Sequence, residues 1–496
     1  MSGKKEPEMT ETPAKHEAAT PASDTLAQTQ NPTAAISDFG IDTTSMSTGE
    51  AIRDYFARLR AGELGALPSL FGLLVLVILF SVLSDNFFTL GNIANLFPQG
   101  AGVIIIAMGI VFVLLLGEID LAAGTASGVA ASVMALHFVH NGNLLGNMGS
   151  GVFITFIGVL AVAMLLSAYQ RIWPGAALSL VGLLIVAIGI PANAWLEILL
   201  AICVGTSIGC ITGFLVSKIG MPSFVVTLAL FIVWQGVLLQ FIGEGGTIGI
   251  TNSDILYKIS NGNLSILGSW IFFVVAAGGF AVITLLSHFK RLQRGLVVQP
   301  TPLVAAKVGA LVVLSALGTW LLTINRSPNK AVVSIQGVPY IIPIVLALLV
   351  AGTYVLNKTR YGRYIYAVGG NKEAARRAGI DVPKIRASVF VIGSAVAALG
   401  GIVAASKVGS VSPQSGGLNT LLFAVGSAVI GGTSLFGGKG RVADAVVGGL
   451  VIAVVINGLG LLKQTAAVVN IVTGLVLLLA ATVDALSRRR AAASAR

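Results

Sequence analysis

The residues of this chain best suited to chemistry fall into two groups. The first is a polar run from Arg360 to Ile380, containing Arg360, Gly362, Arg363, Gly369, Gly370, Asn371, then Glu373-Ala374-Ala375 and Gly379. An ionised side chain at a bilayer centre costs at least about 2.5 kcal/mol. The flanking sequence is apolar, so this run must lie in water. Glu, Ala and Arg favour a short helix, and Gly379 suits the residue just past its end. Gly369-Gly370 would let the chain turn sharply ahead of it. The chemistry implied is recognition, a charged helix offered to a soluble protein, with a solvated connector as the plainer alternative.

The second group is polar side chains set among apolar ones. Glu118 and Asp120 sit where two apolar runs meet. They fit either a broken helix at the mouth of a path or a wet interface. Trp234, Gln235, Gln240 and Asn457 lie within apolar runs. An aromatic face with amides suits a sugar, and the same amides suit bonds between membrane helices. No nucleophile or base accompanies the carboxylates, so no catalytic residues are expected. His16, His137, His140 and His288 are scattered without metal-ligand spacing, so no metal site is expected. Gly432 to Gly440 imitates a phosphate loop, but that motif needs Lys where Gly438 stands. Cys203 and Cys210 are seven apart, about 10.5 Å along a helix, too far for a disulfide within it.

The elements that must position these residues follow from composition. The 496 residues are 55% hydrophobic and 10% charged, against about 25% charged in soluble domains. About fourteen apolar runs are long enough to span a bilayer, near 66–84, 100–117, 121–139, 151–168, 175–193, 195–217, 223–242, 268–287, 303–324, 337–356, 386–406, 419–436, 441–460 and 464–484. The predicted fold is an all-α polytopic membrane protein. A β-barrel would show shorter alternating segments. Residues 1–48 read as a disordered cytoplasmic tail, 49–64 as an amphipathic juxtamembrane helix, 65–486 as the transmembrane domain, and 487–496 as a basic cytoplasmic tail.

The net charge of +11 sits mostly in alternate loops, which places those loops and both termini in the cytoplasm. A nucleic-acid surface would gather that charge on one domain instead. Two segments share the pattern G-x-x-x-L-x-x-G, Gly117–Gly124 and Gly431–Gly438. Their common predicted orientation points to an internal repeat.

The run Tyr361-Gly362-Arg363-Tyr364-Ile365-Tyr366-Ala367-Val368-Gly369-Gly370-Asn371 with Glu373-Ala374-Ala375 and Gly379 resembles the coupling segment of ABC importer permeases, in their ribose/xylose sugar branch. Asn86–Ile93, Gly117–Gly124, Gly220–Leu228 (which holds Thr227) and Val429–Gly440 resemble the same branch. The resemblance runs from about residue 60 to the end. It implies a permease subunit in a bacterial cell membrane, working as two copies that form the path. A cytoplasmic ATPase carrying ATP and magnesium would grip the 357–385 loop, and an extracytoplasmic protein would deliver a sugar, xylose or a relative. The chain itself would hold no cofactor and would touch lipid but no nucleic acid. Glu118, Asp120, Thr227, Trp234, Gln235 and Asn457 become the path candidates. Common members have about ten spans. The surplus here falls near 151–193 and 268–324 and, with Glu118 where many relatives have Gly, looks like the longer xylose-type branch. The competing reading is an ion-coupled secondary transporter, which needs carboxylates near the midplane; only Glu118, Asp120 and Glu197 compete for that role.

Overall fold

In the computed structural model, the described residues are 48–50, 53, 67–296, 298–327, 329–330, 332 and 334–494. The predicted tail 1–48, but for its last residue, and nearly all of the surface helix 49–64 lie outside them. Among the described residues, nine helices are long and apolar enough to cross a membrane, and five more are shorter and apolar. They fall one in each predicted run. In chain order they are α1 Leu67–Leu83, α2 Leu90–Leu115, α3 Ala123–Val139, α4 Ser150–Tyr169, α5 Trp173–Ile188, α6 Ala194–Ile219, α7 Ser223–Ile242, α8 Ile266–Gln293, α9 Thr301–Thr323, α10 Ile341–Lys358, α11 Val382–Val408, α12 Leu418–Ile430, α13 Val442–Leu461 and α14 Ala466–Ser494. The protein is an all-α polytopic membrane protein.

Several ends differ from the sequence reading, each for a local reason. The run near 100–117 starts ten residues early, at Leu90, where Thr89 accepts a hydrogen bond from the Asn92 amide. The run near 175–193 stops at Ile188, because Gly189 takes a left-handed φ of 69°. Asn193 then caps α6 by accepting from the Trp195 amide at 2.9 Å. The run near 419–436 stops at Ile430, and positive-φ glycines carry the chain through the loop to α13. α14 continues unbroken to Ser494, past the predicted boundary at 486.

α2, α3, α6, α11 and α13 form the buried centre: 67–89% of the spanning windows of α2, α6, α11 and α13 lie inside the protein, and α3 is buried from Ala123 to His137. Close approach explains the glycines of α6. A Cβ at Gly205, Gly209 or Gly213 would lie 2.6–2.7 Å from the α11 carbonyls of Ser394, Phe390 and Ala387. Four-residue spacing puts all three on one face, the small-residue stripe that lets membrane helices touch backbone to backbone. The surplus pairs sit outside this centre: α4 is 22% buried, α8 11% and α9 17%.

The α2–α3, α6–α7, α10–α11 and α12–α13 junctions gather at one end of the bundle. Ile119, between α2 and α3, donates its amide to Ser223 Oγ at the start of α7. Glu118 reaches Arg386 at the start of α11. A Cβ on Gly117 would lie 3.0 Å from the carbonyl of Phe436, between α12 and α13. The two G-x-x-x-L-x-x-G segments therefore lie at the same end and touch. At the other end, Ile248–Gly249 pairs antiparallel with Ser410–Val411, and a short helix, Asp254–Asn261, packs on the last turns of α11.

Candidate functional site

The polar run between α10 and α11 folds as two short helices, Arg360–Gly370 and Lys372–Arg377. Thr359 caps the first, its Oγ1 accepting from the Gly362 amide at 3.1 Å. Asn371 caps the second, its Oδ1 accepting from the Ala374 amide at 2.9 Å. Gly379 ends the second helix with φ 81°, and Asp381 opens α11 by accepting from the Lys384 amide.

The sharp turn is not at Gly369-Gly370, as the sequence suggested. Both are helical, and the chain turns at Asn371, whose backbone is extended. Gly369 serves close approach instead. A Cβ there would lie 1.8 Å from the Leu115 carbonyl and 2.9 Å from the Gly438 amide. That amide donates to the Leu115 carbonyl at 2.8 Å. Three backbones, from the end of α2, the first short helix and the α12–α13 loop, thus meet with no side chain between them.

The predicted coupling residues divide by exposure. Arg360, Arg363, Gly370, Asn371, Glu373, Ala374 and Gly379 are exposed, Gly369 is half-buried, and Gly362 and Ala375 are buried. The buried ones pack the unit down and the exposed ones form its surface. Glu373 pairs with Arg376 one turn on.

Glu118 is the anchor beneath. Its Oε1 accepts from Lys372 Nζ at 2.7 Å and Arg386 Nη2 at 2.9 Å. Burial pushes its carboxyl up, but the bonds from Lys372 and Ser223 and the Arg386 charge outweigh that and hold it below the ordinary value. Among the described residues Asp120 has no cation within ion-pair distance. It accepts from the Ala122 amide at 2.9 Å, and burial pushes it up to about 6 against that bond and a second from Ala123. Thr227 Oγ1 donates to the Ile119 carbonyl, so Thr227 joins Glu118 and Asp120 at this end.

The remaining path candidates lie elsewhere. Trp234 is buried on a cavity of about 430 Å³ between α3, α4, α6 and α7. Gln240 lines it too, but most of the lining is apolar, including Val129, Phe156 and Val204. Gln235 turns away and donates to the Pro413 carbonyl at 2.7 Å. Asn457 exchanges hydrogen bonds with Asn92 and also donates to Gln99 at 3.0 Å, so its amide joins α13 to α2.

One buried pair escaped the sequence reading. His137 Nδ1 lies 2.7 Å from Glu197 Oε1, both side chains fully buried between α3 and α6. Sixty residues separate them, and no local pattern links them. Cys203 and Cys210 are buried and free. Among the described residues no group of His, Cys, Asp and Glu could hold a metal.

A bundle of apolar helices that carries between two spans a glycine-seated short helix followed by an exposed charged one fits a membrane transport component of the permease class. The comparisons make that class specific. Residues 92–481 match the family described as branched-chain amino acid transport system/permease component, and the chain belongs to it. It is an ABC importer permease of the ribose/xylose kind, a transport component and not an enzyme. It is 30% identical to the xylose transport system permease protein XylH of Escherichia coli K12 over 88% of this chain and 95% of that one. It is 29% identical to XylH of Haemophilus influenzae, covering 87% and 99%, and 28% identical to the ribose import permease protein RbsC of Escherichia coli K12, covering 84% and 92%. No solved structure matches the chain. Permeases of this family work with an ATPase and a binding protein.

Proposed function

We propose that this chain is the permease of an ATP-driven importer for a pentose such as xylose, two copies forming the path. The Lys372–Arg377 helix faces the cytoplasm and is gripped there by the ATPase, which carries ATP and magnesium. The opposite end receives the sugar from an extracytoplasmic binding protein. Both termini are cytoplasmic, consistent with the basic residues of the alternate loops. The observation that carries the reading is the second short helix, exposed except at Ala375 yet tied through Lys372 and Glu118 to the end of α2. A partner that moves this helix pulls on the buried centre.

The test is uptake in vesicles containing the permease, its ATPase and its binding protein. Glu373→Lys and Gly379→Pro should each abolish ATP-driven uptake while membrane insertion is retained. The first reverses a charge in water, and the second places a proline where φ is 81°. Normal uptake by both variants, with the ATPase still co-purifying, refutes the coupling role. Uptake driven by an ion gradient without ATP would favour the secondary-transport reading instead.

A further inference from the structure

At the end opposite the coupling helices lies a polar cavity of about 280 Å³. Its walls come from the first turns of α2, the end of the Asp254–Asn261 helix with Asn263, the last turn of α11, and Arg326, Ile335 and Pro339. Two cations face it. Lys407 Nζ donates to Asn95 Oδ1 at 2.6 Å and approaches Asn261 Oδ1 at 3.5 Å. Arg326 donates to Asn263 Oδ1 at 2.7 Å and to the Leu322 and Gly337 carbonyls. Both are half-buried, and among the described residues neither has a carboxylate within ion-pair distance.

The amide oxygens of Asn95, Asn261 and Asn263 are thus turned toward the cations. The amide nitrogens of Asn95 and Asn263, the Lys407 ammonium and the Arg326 guanidinium leave the cavity rich in donors and short of negative charge. Uncompensated cations in a recess are costly, and burial holds the Arg326 pKa below its ordinary value. An occupant carrying a carboxylate would offset that cost through charge-assisted hydrogen bonds, and hydroxyl oxygens would meet the amides. We propose that this cavity binds a small polyhydroxylated carboxylate, a sugar acid, through Lys407 and Arg326.

The test is calorimetric titration of the detergent-solubilised full chain with D-xylonate, D-xylose and acetate. Xylonate should bind, with xylose and acetate at least about tenfold weaker, the size expected when one charge-assisted hydrogen bond is lost. Lys407→Met and Asn95→Leu should each weaken xylonate by a similar factor. Two variants are used so that misfolding of one leaves the other decisive. Xylose or acetate binding as tightly as xylonate, no xylonate binding, or unchanged binding in a folded variant would overturn the proposal. The assay needs no partner, so its failure leaves the importer reading intact.

Discussion

The two G-x-x-x-L-x-x-G segments share a pattern and an end of the bundle but are fastened by different forces. Gly117–Gly124 is held by side chains: Glu118 to Lys372 and Arg386, and Thr227 to the Ile119 carbonyl. Gly431–Gly438 and the residues just after it are held largely by backbone. Gly438 donates to Leu115, Ser434 to the Lys439 carbonyl, and Tyr366 Oη donates to the Gly440 carbonyl at 2.8 Å. Asp444 closes that loop by accepting from the Arg441 amide at 2.7 Å. The first is tied to neighbouring elements by charge, whereas the second meets them mainly through close backbone approach, its own loop being closed by the Asp444 carboxylate. A short glycine pattern therefore fixes how closely chains approach, and the residues between the glycines decide what fastens them.

Breaking the close backbone approach should have the largest effect. Gly369→Val puts carbon where the Leu115 carbonyl stands, and should cost more than about 4 kcal/mol, in the exceptional range for a single change. The expected result is loss of monodisperse protein after detergent extraction. Gly370→Val is the control, because a Cβ there meets nothing within 4 Å, and it should extract normally. Equal yields would show that the three-backbone contact can relax.

Breaking the charged fastening comes next. Glu118→Gln keeps the shape but leaves Lys372 and Arg386 without their carboxylate. It should cost about 1–3 kcal/mol and lower maximal uptake several-fold with little change in half-saturation. The Glu118 carboxyl is held low, so its contribution is present above its unfolded value near 4.5 and is lost as pH falls through the folded value. Melting curves of wild type and Glu118→Gln should therefore converge in acid. Parallel curves would remove the ion pair from the explanation.

Asp120 has the opposite sign. Its folded value of about 6 lies above the ordinary 3.8, so its burial costs stability as pH rises from 3.8 to 6, by up to roughly 3 kcal/mol. Asp120→Asn should melt no lower than wild type at pH 7, and lose that advantage near pH 4. The family resemblance, which implies Gly at position 118 in many relatives, ranks Asp120→Asn above Glu118→Gln for lost turnover. The paired cations reverse that order. Asp120→Asn with less uptake than Glu118→Gln would restore it.

The smallest effect is Tyr366→Phe, which removes one neutral hydrogen bond to the Gly440 carbonyl. It should cost about 1 kcal/mol, read as a small drop in melting temperature with uptake nearly intact. A large loss of uptake would mean that the Tyr366 hydrogen bond, and not only the Asp444 carboxylate and the backbone contacts, holds the loop.

Each spanning helix was legible, because a bilayer demands a long apolar run and little else resembles one. The Lys372–Arg377 helix and its Gly379 terminus were legible too, since propensity and left-handed φ are local properties. Helix ends within glycine-rich stretches were not: α12 stops at Ile430 although Gly431 to Phe436 carries no charge to mark the end. The partners of Glu118 were also hidden, because Lys372 lies 254 residues away and only packing of four junctions brings them together. Asn457 shows the reverse difficulty. Its type suited a sugar, but the facing amides of Asn92 and Gln99 took up its hydrogen bonds.

The meeting of Gly369, Leu115 and Gly438 has a mechanical consequence. A joint made through side chains has backlash, because rotamers yield before the main chain moves. A joint of main chain on main chain has almost none. A push on the Arg360–Gly370 helix must therefore arrive at the end of α2 with nearly its full stroke, as between meshed gears cut without clearance.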